Sequence, residues 1–139
     1  MQNVLIICTG NSCRSIMGEA LINARLGDRG IRAFSAGSHP SGRVNPNAIR
    51  ALKSVDAWDE HYHSKTIETA RAYEPFDLVV TVCDNAKESC PVFPGKTKTI
   101  HVGFEDPDGK FYDAFVATRN LIEKKLLPAV LKELEHVSA

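Results

Sequence analysis

The sequence predicts a single α/β domain over residues 1–139, built as a four-stranded parallel sheet with helices on both faces. Three observations predict it. Short apolar runs alternate along the chain with stretches of helical spacing. The first and third runs are apolar on both faces, as parallel strands covered by helices are. No internal repeat, low-complexity tract or Pro/Gly-rich linker interrupts the alternation. At 139 residues, 43% of them hydrophobic, the chain has the length for one sizeable core and little room for a second.

Strands are expected at residues 4–7, 32–35, 78–82 and 99–102. Between the first two, residues 15–26 carry Ile16, Ala20, Leu21 and Ala24 at helical spacing and stop before Gly27. Asn45 and Pro46 then supply an N-cap and an N1 proline to a second helix bearing Ala48, Ile49, Ala51, Leu52 and Val55. A third helix is expected over 67–73, before Pro75. The last, over 112–136, holds Phe115, Val116, Leu121, Ile122, Leu126, Val130, Leu131 and Leu134 in an apolar stripe, and Pro128 is expected to kink or split it. In such a sheet the ligand sits at the C-terminal ends of the strands.

Charge narrows the partners. Seventeen basic and 17 acidic residues give a formal net charge of zero, so no global field draws the chain to nucleic acid or to an anionic membrane. No stretch approaches membrane-spanning length, and no basic region precedes the N-terminal apolar run, so a soluble cytoplasmic protein is expected. In that compartment the four cysteines, at 8, 13, 83 and 90, read as reduced thiols with catalytic or redox work.

The first strand runs into Cys8, and Arg14 follows six positions later. A short loop leaving a strand and entering a helix turns its backbone N–H groups inward and makes an anion nest at the helix N-terminus. Thr9, Gly10, Asn11, Ser12, Cys13, Arg14 and Ser15 are the expected oxyanion-binding residues, with Arg14 closing the nest by a bidentate fork. The positive field favours the thiolate of Cys8 and makes it a nucleophile aimed at a tetrahedral oxyanion. Cys13 is expected to pack as a small buried hydrophobe.

Cys83 ends the third strand, so Cys8 and Cys83 can face one pocket from neighbouring strand ends. Cys90 stands seven residues further on. If residues 83–89 are helical, the two sulfurs lie about 10.5 Å apart along the axis. Bridging needs Cα atoms within roughly 7 Å, so a bond between them requires the segment to unwind: a redox-driven switch. After the fourth strand, Asp106 is fixed by Pro107 in an extended conformation and is the expected general acid. Glu105 and Asp108 read as turn residues. Cysteine separations of five and seven do not match the two-residue gaps of structural zinc sites, so no metal is expected from the cysteines and histidines, and His61 and His63 read as solvated.

Residues 8–15 resemble the anion loop of the low-molecular-weight protein tyrosine phosphatases, and Asp106-Pro107 is similar to that family's general-acid element. Residues 82–91 resemble the redox helix of the thioredoxin-linked arsenate reductases on the same fold. With three motifs in the expected order over essentially the whole chain, the sequence is identified as a member of the latter group.

The resemblance implies a reaction. Cys8 attacks arsenate held by the loop amides and Arg14, while Asp106 protonates the departing oxygen. Cys83 attacks the sulfur of Cys8, arsenite leaves, and Cys90 resolves the Cys8–Cys83 disulfide to a Cys83–Cys90 one that an external thioredoxin reduces. Ser15 is implied to hydrogen-bond the Cys8 thiolate, and Asn11 to fix the loop's shape. Phosphate or sulfate serve as arsenate analogues. A monomer is expected, without bound cofactor, nucleic acid or membrane partner. The intramolecular resolving thiol favours thioredoxin over a glutathione-based reductant. Some relatives bind potassium through an asparagine, a glutamate and an aspartate; Asn11 and Glu19 match, but Thr66 stands where the aspartate is expected. The tyrosine pair that follows Asp-Pro in eukaryotic phosphatases is replaced here by Asp108-Gly109. Two other readings stand beside this one: a low-molecular-weight phosphatase hydrolysing phosphate monoesters through Cys8, and a non-catalytic thiol-sensing or oxyanion-binding module. Asp106 argues against the module, since a binder needs no positioned acid.

Overall fold

Four strands, β1 (Gln2–Cys8), β2 (Ile31–Gly37), β3 (Leu78–Thr81) and β4 (Thr99–His101), form one parallel sheet in the order β2-β1-β3-β4. The computed structural model describes residues 1–84, 87–89 and 91–138, the last three of these by their backbone alone. The alternation of β1 sorts the core into two layers. Val4, Ile6 and Cys8 pack with Leu78 and Val80 under α1 (Arg14–Leu26), α2 (Pro46–Lys53) and α4 (Tyr112–Ser138). Leu5 and Ile7 face the other way, with Phe34, Val79, Phe76, Phe93 and Ala70 of the single-turn α3 (Ile67–Ala70). Helices thus cover both faces as expected, but the second face relies as much on aromatic rings as on its helix.

The expected start signals hold in the structure. Asn45 caps α2, its side chain accepting from the Asn47 amide at 2.9 Å, and Pro46 occupies N1. Thr66 caps α3 in the same way, through the Thr69 amide at 3.0 Å, and a 3-10 turn over Arg71–Tyr73 extends it.

Three expectations need correction. β3 ends at Thr81, so Cys83 lies just past the strand and not at its last residue. Its neighbour stays in register even so, the Val82 amide donating to the Ile7 carbonyl at 2.9 Å. The described residues of 83–89 form turns and not a helix, with the Lys87 and Glu88 amides sharing the Asp84 carbonyl at 3.0 Å. Finally, α4 passes through Pro128 unsplit. Pro128 and Lys124, whose carbonyl loses its donor, are both exposed to water, while buried Ile122, Leu126, Val130 and Leu134 hold the helix to one core on either side.

Candidate active site

β1 delivers Cys8 to the C-terminal edge of the sheet, 1% exposed, and the chain turns through residues 9–13 into α1. Asn11 makes that turn with a φ of 46°, a left-handed conformation that asparagine tolerates better than most residues. A second segment wraps the loop from outside. The amides of Ser38, His39, Ser41 and Asn45 donate to the carbonyls of Cys8, Thr9, Gly10 and Ser12 at 2.9–3.2 Å. With its carbonyls held outward, the loop can turn N–H groups inward, and no side chain caps the N-terminus of α1. Gly37 permits this approach: a Cβ there would lie 2.5 Å from the Thr9 carbonyl oxygen.

The sulfur of Cys8 receives the Asn11 amide at 3.3 Å and lies 2.9 Å from Ser15 Oγ. Ser15 Oγ also accepts from Asn11 Nδ2 at 2.8 Å, so the hydroxyl is held between that amide and the sulfur. The second proton of Asn11 Nδ2 goes to Ser35 Oγ at 3.0 Å, and Ser35 in turn donates to Glu19 Oε1 at 2.6 Å. Asn11 Oδ1 accepts the Lys65 amide at 2.8 Å, so both the amide group and the oxygen of the Asn11 side chain are hydrogen-bonded. A buried polar chain therefore runs from Glu19 to the nucleophile. Burial raises the Glu19 carboxyl above its usual range, opposed by the Lys65 ammonium, the Ser35 hydroxyl and His61 and His63. Lys65 is itself lowered by burial, with Glu19 opposing.

Arg14 is 3% exposed. Burial alone would lower its guanidinium, but Glu88, Cys8 and Asp106 outweigh that and hold it above its ordinary value. Its Nη1 donates to the Phe104 carbonyl at 3.2 Å and to Glu88 Oε1, and its Nη2 lies 3.5 Å from Asp106 Oδ2. Asp106 Oδ1 accepts from the Asp108 amide at 3.0 Å, and Asp108 Oδ1 accepts from Asn45 Nδ2 at 2.9 Å, which ties the acid loop to the start of α2.

Cys8, Gly10, Asn11, Ser12, Cys13, Arg14 and Asp106 all line one pocket of about 130 Å³. That volume suits a small anion and falls well short of drug-sized sites of several hundred Å³. Thr9 and Ser15, also expected to bind the oxyanion, are not among its lining residues. The Cys13 thiol is pushed up to about 12 by burial and by Asp106 and Asp108, so it stays protonated, in keeping with the packing role expected of it. Cys83 is fully buried in the same core layer as Cys8, at the end of the neighbouring strand, and it is disulfide-bonded, whereas Cys8 and Cys13 are free thiols. The expected resolving thiol, Cys90, lies outside the described residues. No group of three or more metal-ligating side chains occurs among the described residues.

Ser41 and Asp108 also line the pocket, and Glu88 holds Arg14, none of which the sequence singled out as part of the site. Asp108 was reachable from its place beside Asp106-Pro107. Glu88 was not: it meets Arg14 across 74 residues, and no local pattern announces the pairing.

A family model described as low molecular weight phosphotyrosine protein phosphatase matches residues 3–138. Arsenate reductase 2 of Staphylococcus saprophyticus is 42% identical over 125 residues, 90% of this chain and 93% of that one. The arsenate reductase of Staphylococcus aureus strain N315 is 41% identical over 122 residues, 88% and 91% of the two chains. Among solved structures, an arsenate reductase from Archaeoglobus fulgidus is similar with a TM-score of 0.77 and 29% identity, over 98% of this chain and 99% of that one.

Proposed function

We propose an arsenate-reducing activity from one premise: the chain belongs to the low molecular weight phosphotyrosine protein phosphatase family. One observation carries the choice within that family. A second cysteine, Cys83, sits at the strand end beside Cys8 and is disulfide-bonded, a device that reduction needs and hydrolysis does not. The relatives named as arsenate reductases support the same choice.

In this reading the Cys8 sulfur attacks arsenic while the loop amides and Arg14 hold the oxyanion, and Asp106 gives its proton to one oxygen, which leaves as water. Cys83 attacks the Cys8 sulfur of the adduct. The S–As bond breaks, its electron pair stays on arsenic, and arsenite leaves behind a Cys8–Cys83 disulfide. Cys90 attacks Cys83 and frees Cys8, and the dithiol of a thioredoxin reduces the Cys83–Cys90 disulfide. Arsenic detoxification in a reducing, cytoplasmic compartment is the corresponding role.

The residues do not fit a resident potassium ion. Glu19 shares its cavity with the Lys65 ammonium, and Thr66, which stands in the aspartate's place, brings no carboxylate and uses its hydroxyl to cap α3. Lys65 already supplies positive charge to Glu19.

The test is arsenite production by purified protein with thioredoxin, thioredoxin reductase and NADPH. Wild type is expected to turn over, and Cys90→Ser to stop after about one arsenite per enzyme. The second reading, phosphate-monoester hydrolysis through Cys8, rests on the shared Cys8, Arg14 and Asp106 geometry. It takes over if no arsenite forms and aryl-phosphate hydrolysis survives both Cys83→Ser and Cys90→Ser.

A further inference from the structure

The turn that follows Cys83 reaches into the oxyanion loop with a carboxylate. Glu88 Oε1 accepts from Arg14 Nη1, and Oε2 accepts from Arg14 Nη2 at 3.2 Å and from Thr9 Oγ1 at 3.2 Å. Two parallel N–H···O contacts on the guanidinium fork are the means by which an arginine grips two oxygens of a tetrahedral anion. Arg14 therefore holds an anion supplied by its own chain. The pairing is mutual: Glu88 is held below the usual carboxylate range first by its hydrogen bond to Arg14, with further contributions from the Asp84 amide and Thr9.

The position of that carboxylate is set next to the disulfide. Glu88 N and Lys87 N both donate to the Asp84 carbonyl at 3.0 Å, and the Asp84 amide donates to Glu88 Oε1 at 2.7 Å. Asp84 is bonded directly to Cys83, which is disulfide-bonded here. A further contact presses the turn against the acid loop, Lys87 Nζ lying 3.4 Å from Glu105 Oε1. Opening the disulfide removes a covalent constraint on this turn, and the cost of ordering Glu88 against Arg14 rises accordingly.

Resting on the oxyanion-site reading above, we propose that Glu88 is a redox-gated internal competitor for the oxyanion. With the Cys83 disulfide closed, Glu88 occupies the Arg14 fork and the Thr9 hydroxyl; with the dithiol form, it withdraws and the fork passes to substrate. The oxidised protein, which has no electrons to give, is thereby kept from holding arsenate or phosphate. Reciprocity requires that an oxyanion in the loop also weakens the grip on the closed turn.

Inorganic phosphate is the probe, because its binding requires no turnover. Calorimetry on wild type and Glu88→Gln is done in two states, the dithiol form and a form whose Cys83 disulfide is verified by peptide mapping. The expected result is that wild type binds phosphate at least about tenfold more weakly when oxidised, and that Glu88→Gln narrows this gap to about twofold by tightening the oxidised form. An unchanged gap, an equal tightening in both states, or weaker binding by the variant overturns the proposal. Glu88→Ala guards against an artefact of the amide, and circular dichroism confirms that each variant is folded. Failure of the reductase reading shows separately, as phosphate binding without arsenite production.

Discussion

Cys8 and Cys13 share one loop, and both are buried, yet their surroundings separate them. Cys8 receives an amide and shares a hydrogen bond with a serine hydroxyl, whereas Cys13 faces Asp106 and Asp108 and is pushed up to about 12, chiefly by burial. Cys13→Ala is expected to keep kcat within about threefold of wild type in the arsenite assay, while Cys8→Ala abolishes turnover. A collapse in the Cys13 variant with phosphate binding intact would assign that thiol a chemical step. The loop was legible because its parts are consecutive: a cysteine at a strand end, five residues, an arginine at a helix start. Its distant partners were not legible. Ser35, Lys65 and Glu88 reach the loop from 24, 54 and 74 residues away, and each is an ordinary polar residue in its own neighbourhood.

At the level of elements, the second segment, 38–45, shapes the loop as much as the loop's own residues do. Gly37 is the hinge of that arrangement. A Cβ there would come within 2.5 Å of the Thr9 carbonyl oxygen and 3.0 Å of the Asn11 amide nitrogen, both backbone atoms that cannot rotate away. Gly37→Ala is expected to cost about 1–3 kcal/mol of stability, read from urea unfolding, and to weaken phosphate binding at least about tenfold. Undiminished phosphate binding would show that the loop tolerates a shift of this contact. Strand and helix assignments from periodicity held where the apolar pattern was long. After β3 the helical geometry considered for residues 83–89 is not met by the described residues, which form turns in which the Glu88 side chain accepts the Asp84 amide. Pro128 does not split α4, since packing on both sides of it outweighs one lost hydrogen bond.

The molecule as a whole carries two carboxylates that tilt its pH dependence in opposite directions. Glu88 is lowered from its ordinary value of 4.5, chiefly by Arg14, so its contribution to stability is complete above that value and lost as the pH falls through the lowered one. Glu19 is raised by burial. Its contribution is complete below 4.5 and is lost as the pH rises through the raised value. Urea unfolding from about pH 3 to about pH 8 is expected to show Glu88→Gln flattening the acid limb and Glu19→Gln flattening the decline on the other side. If both variants merely shift the curve without changing its slopes, neither group titrates in the way its surroundings dictate.

Fold class, strand number and the Cys8 loop could be read from one sequence because local patterns encode them; the completed site could not, because distant segments build it. Arg14 takes its partners from 74 and 90 positions downstream, at Glu88 and the Phe104 carbonyl. During synthesis the nucleophile emerges early, but its arginine lacks the Phe104 carbonyl until β3, β4 and the loop beyond them have docked. The centre is therefore completed only after most of the chain has been made. An oxyanion present at that moment binds only the finished product and draws the final docking step to completion.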